Sequence, residues 1–298
     1  MIVAEHLTKH YGTTLAIDDV SFQVRNGEVV GFLGPNGAGK TTTMRILAGS
    51  LGATSGRALI DGLDVFESPL ETRRKVGYLP EVPPLYPNMT VSGYVRFTAR
   101  IKGVVEVEAA VDRVLGRVGL ADMGGRLVGH LSKGYQQRAG LAQALVHDPE
   151  VLILDEPTSG LDPAQRKEIR DLVKDLAGER TVILSTHVLP EVEDVCQRVL
   201  IIAGGRIVAS DTIEALAGEE RLVRIRVGRP GPDLEAALAA IDGVTEVTAD
   251  GEGRYTVHTH EDRRAGVARA AASWDLLELM GRERLEDIYL RLTSGKAA

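Results

Sequence analysis

"GPNGAGKT", residues 34–41, is the stretch on which the fold turns. Gly34, Gly37 and Gly39 precede Lys40 and Thr41 at the spacing of a loop that wraps backbone N–H groups around a phosphate chain. "EVVGFL" before it reads as a buried strand and "TTMRILAG" after it as a helix, so the loop joins a strand end to a helix start. Lys40 is the expected contact to the β- and γ-phosphates, and Thr41 offers a hydroxyl to Mg²⁺. Thr42 can cap toward the α-phosphate, and Pro35, Asn36 and Ala38 complete the cradle.

Outward from the loop, short apolar runs alternate with stretches of helical period through to about residue 215. "EVVGFLG" (28–34), "VLILDEP" (151–157), "TVILSTH" (181–187) and "RVLIIAGG" (198–205) read as strands buried on both faces, the habit of a mostly parallel sheet. Helices are expected over 39–51, 134–147 and 163–177, the last with Asp162 as N-cap and Pro163 at its first position. Residues 90–123 read as entirely helical, with Thr90 as cap and Gly103 and Gly119 as stops, inside a helical insert of about 82–147. Beyond 218 the texture changes. Strand, helix, a hairpin around Gly251 and Gly253, helix and strand follow in the order βαββαβ, which suggests a small ferredoxin-like unit. A closing helix puts Leu285, Ile288, Tyr289 and Leu292 on one face. The expected domains are 1–218 and 219–298.

A phosphate loop with a metal needs a second anchor and a base. Asp155, at the end of "VLILD", is the expected holder of Mg²⁺, and Glu156 follows it as the residue to orient and deprotonate water. His187 ends the neighbouring strand run "VILSTH", and parallel strands bring their carboxyl ends to one crevice. That places His187 near the γ-phosphate, in reach of Glu156. "LSKGYQQR", 131–138, reads as a second anion site: Ser132 caps a helix, Lys133 brings charge and Gly134 admits an anion to the backbone.

In order, "GPNGAGKT", "LSKGYQQR", "VLILDEP", "SGLD" (159–162) and "STH" resemble the motifs of the nucleotide-binding subunits of ABC transporters, over about the first 215 residues. The resemblance implies an α/β P-loop ATPase core with a mostly parallel sheet, an antiparallel β subdomain and a helical insert. It implies ATP and Mg²⁺ as ligands, and a head-to-tail homodimer that ATP closes and hydrolysis reopens. In such a dimer Ser132, Lys133, Gly134 and Tyr135 form the signature that faces the partner copy's γ-phosphate, and Asp162 lies at the interface as well as capping its helix. The signature departs from the common LSGGQ form at Lys133 and Tyr135. Tyr11, in "KHYGTT", matches the adenine-stacking aromatic, and Glu81, in "VGYLPE", stands where the family carries a metal-contacting glutamine. "VPPLYPNMTVSGYVRF" matches the groove that receives a membrane subunit's helix, and it reads equally as that subdomain's own core. "VGYLPE", "LYPNMTV" and the tail "LEDIYLRLT" together resemble the second class of ABC exporters, which implies a tail that packs on its dimer mate.

Composition is that of an ordinary globular chain, and work beside a membrane protein is what the resemblance implies. A net charge of −7 gives no general attraction to nucleic acid or to an anionic membrane. The single cysteine, Cys196, fits a reducing compartment, and "MIVAEHLTKHYG" lacks a secretory leader. The expectation is a cytoplasmic ATPase, peripheral at the inner face of the membrane through a multi-span permease on a separate chain. The alternative is a soluble ABC ATPase or a nucleotide-dependent switch. In the tail, His258 and His260 are expected as exposed side chains, not metal ligands.

Overall fold

β1 (Ile2–Tyr11) pairs antiparallel with β2 (Thr14–Val24). His6 sits at a left-handed φ of 51° and the register slips between Ala4 and Leu7, a bulge that shifts which residues face inward. β3 (Val29–Leu33) is buried along its whole length and runs into the glycine loop, from which α1 (Lys40–Leu47) departs. β4 (Ser55–Ile60) and the short β5 (Leu63–Asp64) return to the first ribbon, making a four-stranded antiparallel sheet in the order β2-β1-β4-β5. α2 (Pro69–Lys75) leads to β6 (Val76–Leu79). This computed structural model describes residues 1–216, 221–259, 261–280 and 285–293.

The helical insert holds α3 (Val91–Ile101), α4 (Val107–Arg117) and α5 (Lys133–Leu145). Thr90 Oγ1 accepts from Gly93 N at 3.1 Å and caps α3, satisfying one of the free N–H groups at its start. β7 (Val151–Asp155), α6 (Pro163–Leu176), β8 (Thr181–Thr186), α7 (Leu189–Val195), β9 (Arg198–Ala203) and β10 (Arg206–Asp211) complete the first compact unit, Met1–Ser210. Its main sheet runs β10-β9-β3-β8-β7-β6, and the pairs from β9 to β6 are all parallel. One core, including Ile2, Leu7, Phe22, Phe32, Met44, Leu47 and Ile183, joins the antiparallel sheet, α1 and the main sheet. The glycine loop therefore leaves the middle of a rigid, dry body, which fixes its position.

The second unit, Asp211–Ala298, opens with α8 (Ile213–Leu216) and continues β11 (Arg221–Val227), α9 (Pro232–Ala239), β12 (Val244–Gly251), β13 (Arg254–Thr259), α10 (Arg264–Ala271), β14 (Leu276–Met280) and α11 (Leu285–Thr293). Its strands order as β12-β13-β11-β14 with every pair antiparallel, and Val223, Ile225, Leu234, Leu238, Val257 and Val267 share a second core. That is the ferredoxin-like pattern. The units divide between Ser210 and Asp211, ahead of the expected 218/219 boundary, which lies outside the described residues. β10 is a half-exposed edge strand at the end of the main sheet. The expected helix over 39–51 ends at Leu47, because Gly49 turns the chain at a φ of 66°. His258 is half-buried, not exposed as expected, and its carbonyl accepts from Thr245 Oγ1 at 3.2 Å; His260 lies outside the described residues. Among the described residues no helix is long and apolar enough to cross a membrane.

Candidate functional site

The glycine loop opens onto a cavity of about 460 Å³. The loop and α1 contribute Asn36, Gly37, Gly39, Lys40, Thr41 and Thr42; Glu81, Glu156, Ser159 and His187 reach it from other segments, and Ala16 from β2. Gly39 holds a φ of 110°, and a Cβ there would stand 2.5 Å from Ile17 Cγ2 and 2.9 Å from the Ala16 carbonyl, so only glycine fits. Gly37, at a φ of 80°, meets nothing within 4 Å and leaves its backbone open to a ligand. Lys40 is 6% exposed and donates to the carbonyls of Gly34 at 2.8 Å and Pro35 at 3.3 Å. The loop thus folds back over its own lysine and aims the ammonium into the cavity.

Three expected chemical residues converge there. Lys40 Nζ lies 3.4 Å from Glu156 Oε1, and His187 Nδ1 lies 2.8 Å from Glu156 Oε2, although the two flanking residues are 147 positions apart in the chain. Glu156 is buried and takes a left-handed φ of 48°, a costly conformation for a side chain with a Cβ. Its backbone N–H is held by the Ser185 carbonyl at 3.0 Å and Ser185 Oγ at 3.1 Å, so β8 stabilises the turn. Ser185 Oγ also donates to Asp155 Oδ1 at 2.5 Å.

Asp155 is fully buried at the end of β7, and Thr41 Oγ1 donates to its Oδ1 at 3.3 Å. Burial pushes its carboxyl above the usual value, and the nearby Glu81 charge adds to this; the Ser185 and Thr41 hydrogen bonds pull the other way. Its Oδ2 is buried with no hydrogen-bond partner. An orphaned carboxylate oxygen beside a threonine hydroxyl fits a hard divalent cation such as Mg²⁺. Among the described residues no three His, Cys, Asp or Glu side chains converge on a metal site, so further ligands would be phosphate oxygens and water.

The other expected residues lie apart from this cavity. Ser132 caps α5 with a long 3.5 Å bond from Tyr135 N, and none of Ser132, Lys133, Gly134 and Tyr135 lines the cavity. Gly134 is buried against Gln165: a Cβ there would sit 2.5 Å from that side chain. Asp162 Oδ1 accepts from Gln165 N at 2.9 Å, so the "SGLD" cap and the signature helix meet through one glutamine. Lys133 lies over Gly160, where a Cβ would collide with its Nζ. Tyr11 is 45% exposed at the end of β1, outside the cavity lining, with Lys9 Nζ 5.5 Å from its ring centre. Ser185, Ser159 and Ala16 were not anticipated. The first two sit inside "STH" and "SGLD", so their motifs carried a signal; Ala16 carried none.

Comparison with known proteins agrees across sequence and fold. The ABC transporter family pattern matches residues 17–159. The bacitracin transport ATP-binding protein BcrA of Bacillus licheniformis is 36% identical, over 99% of this chain and 98% of its own. The fluoroquinolones export ATP-binding protein of Mycobacterium tuberculosis is 38% identical over 78% of this chain and 77% of its own. Among solved structures, an ATP-binding subunit of an ABC transporter matches with a TM-score of 0.67 at 30% identity, covering 72% of this chain and 91% of that one. A dimeric ATP-binding cassette in a post-hydrolysis state, bound to ADP and Pi, matches with a TM-score of 0.66 at 25% identity over 72% and 99%.

Proposed function

This chain belongs to the ABC transporter family as an ATP-binding, ATP-hydrolysing subunit, and from that premise we propose that it drives export of a drug-like molecule through a separate permease. Glu156, fixed between Lys40 and His187 at the mouth of the glycine loop, is the observation that carries the reading. The names of the bacitracin and fluoroquinolone relatives support the substrate class.

In the proposed reaction the N–H groups around Gly37 and Gly39, with Lys40, hold the β- and γ-phosphates. Thr41 and Asp155, with Glu81 beside them, would hold Mg²⁺, which when bound neutralises phosphate charge. Glu156 takes a proton from a water molecule as its oxygen attacks the γ-phosphorus, and the bond to the β-phosphate oxygen breaks, leaving ADP and phosphate. His187 fixes the Glu156 carboxylate and faces the γ-phosphoryl group. Ser132 and Gly134 close over the triphosphate of a second copy, so ATP joins two chains head to tail and hydrolysis releases them. Tyr11 would stack on adenine.

The permease would dock beside the helical insert. Val82 is 80% exposed and Tyr86 53%; Tyr86 packs edge-on against Phe97 at 5.8 Å. A neighbouring cavity of about 290 Å³ is lined by Val82, Pro83, Leu85 and Pro87 together with Glu81. Glu81 thus borders both cavities, which supports a link between docking and the nucleotide. The protein would then work at the cytoplasmic face of the membrane. The test is Glu156→Gln: ATP binding is retained and phosphate release falls to background. Turnover near that of the parent protein would contradict the assignment.

A further inference from the structure

Glu191 is 2% exposed, yet it is a carboxylate, and no step above uses it. It sits on α7, and its two oxygens reach different parts of the chain. Thr158 Oγ1 donates to Oε1 at 2.7 Å, and Thr186 Oγ1 donates to Oε2 at 2.9 Å. Both threonines are themselves buried. Thr158 lies two residues after Glu156, and Thr186 directly precedes His187. One side chain therefore clasps the two segments that carry the 2.8 Å Glu156–His187 contact.

α7 is in turn tied to the strand that feeds the glycine loop. A Cβ on Gly31 of β3 would stand 2.8 Å from Val192 Cγ1, so the helix lies directly on the strand backbone. Thr186 Oγ1 also accepts from Val188 N at 3.0 Å, which locks the entry to α7 and the His187 segment together. Taking a carboxylate out of water is unfavourable, and an apolar side chain would pack beside Val192 at less cost. What an apolar side chain lacks is two acceptors in fixed geometry, one for each threonine.

We propose that Glu191 is a positioning residue for hydrolysis: its carboxylate bridge holds the Glu156 turn and the His187 strand end in register. The inference rests on the assignment of Glu156 and His187 to the hydrolytic site. Misplacing a reacting group by about 1 Å costs on the order of 100-fold in rate. Neither Glu191 nor its two threonines lines the phosphate cavity, so loss of the bridge lowers kcat while KM for ATP holds.

Thr158→Val cuts one arm without changing the volume, Glu191→Leu cuts both, and Glu191→Gln keeps one carbonyl acceptor and offers an amide donor to the other hydroxyl. Steady-state phosphate release and melting temperature are measured for all three, with Glu156→Gln as reference. The expected result is kcat reduced about tenfold in Thr158→Val and about 100-fold in Glu191→Leu, with partial recovery in Glu191→Gln. KM for ATP stays within about twofold in Thr158→Val, which also keeps the parent's melting temperature. Unchanged kcat in Thr158→Val and Glu191→Gln overturns the bridge, as does a rise in KM that tracks a loss of melting temperature. Turnover surviving in Glu156→Gln overturns the assignment beneath it, which the other variants leave separate.

Discussion

His187 Nδ1 and Glu156 Oε2 are 2.8 Å apart, while the histidine remains half exposed and the glutamate is nearly enclosed. One ring therefore faces both the water side of the cavity and the carboxylate. In the proposed reaction a group in that position would orient the base and contact the phosphoryl oxygens as charge develops on them. His187→Ala is expected to lower kcat about 100-fold with ATP affinity unchanged, because Lys40 and the loop are untouched. Binding measured by calorimetry beside phosphate release checks the split.

Gly39→Ala forces a Cβ into a left-handed backbone and onto Ile17 and the Ala16 carbonyl. The strain and overlap together destabilise the fold by about 2 kcal/mol or more. A lower denaturation midpoint and loss of ATP binding are the expected outcome; Gly37→Ala, which meets open space, keeps its side chain clear of the fold and should be milder.

The parts of this site visible in the sequence are those whose residue type is forced by local geometry. "GPNGAGKT" announces itself because Gly39 has no room for a side chain and Lys40 must follow. "VLILDEP" is legible only beside it: an Asp-Glu pair alone reads as a solvated turn, and the phosphate loop together with the aliphatic run makes Asp155 and Glu156 its metal anchor and base. The antiparallel sheet was reached only through resemblance, because the bulge at His6 interrupts the alternation along β1. Glu191 was invisible for a different reason. "PEVED" reads as a solvated acidic turn, and only the packing of α7 on Gly31 turns one of its carboxylates inward.

Burial holds the Asp155 carboxyl above its usual value, and the charge of Glu81, which lines the cavity, adds to this. Replacing Glu81 with Gln removes that repulsion. Without Mg²⁺, ATP should bind about threefold to tenfold more tightly to the variant, through relief of like charge at moderate effective dielectric. With Mg²⁺ the advantage should shrink or reverse, because a cation contact is lost. Calorimetric titrations with and without the metal give the two signs.

His147 supplies a pH dependence remote from catalysis. Burial, reinforced by the Lys102 charge, pushes its pKa down to about 4 from an unfolded value of 6.5, against the pull of the Val76 carbonyl 3.1 Å away. Below 6.5 the unfolded chain binds a proton that the folded chain refuses, so stability is full above 6.5 and falls as pH drops toward about 4. The loss is about 2 kcal/mol after allowing for partial solvent access. His147→Gln should flatten the melting temperature across that window and leave it unchanged above it.

The claim that organises the whole account is that each copy's Ser132 and Gly134 close the other's triphosphate cavity. Light scattering on Glu156→Gln protein with ATP and Mg²⁺ tests it most directly. The mass should double on adding ATP, and should stay at that of one chain when Gly134 is replaced by Asp in the same background. A single-chain mass with ATP bound, or a dimer indifferent to Gly134→Asp, would contradict it.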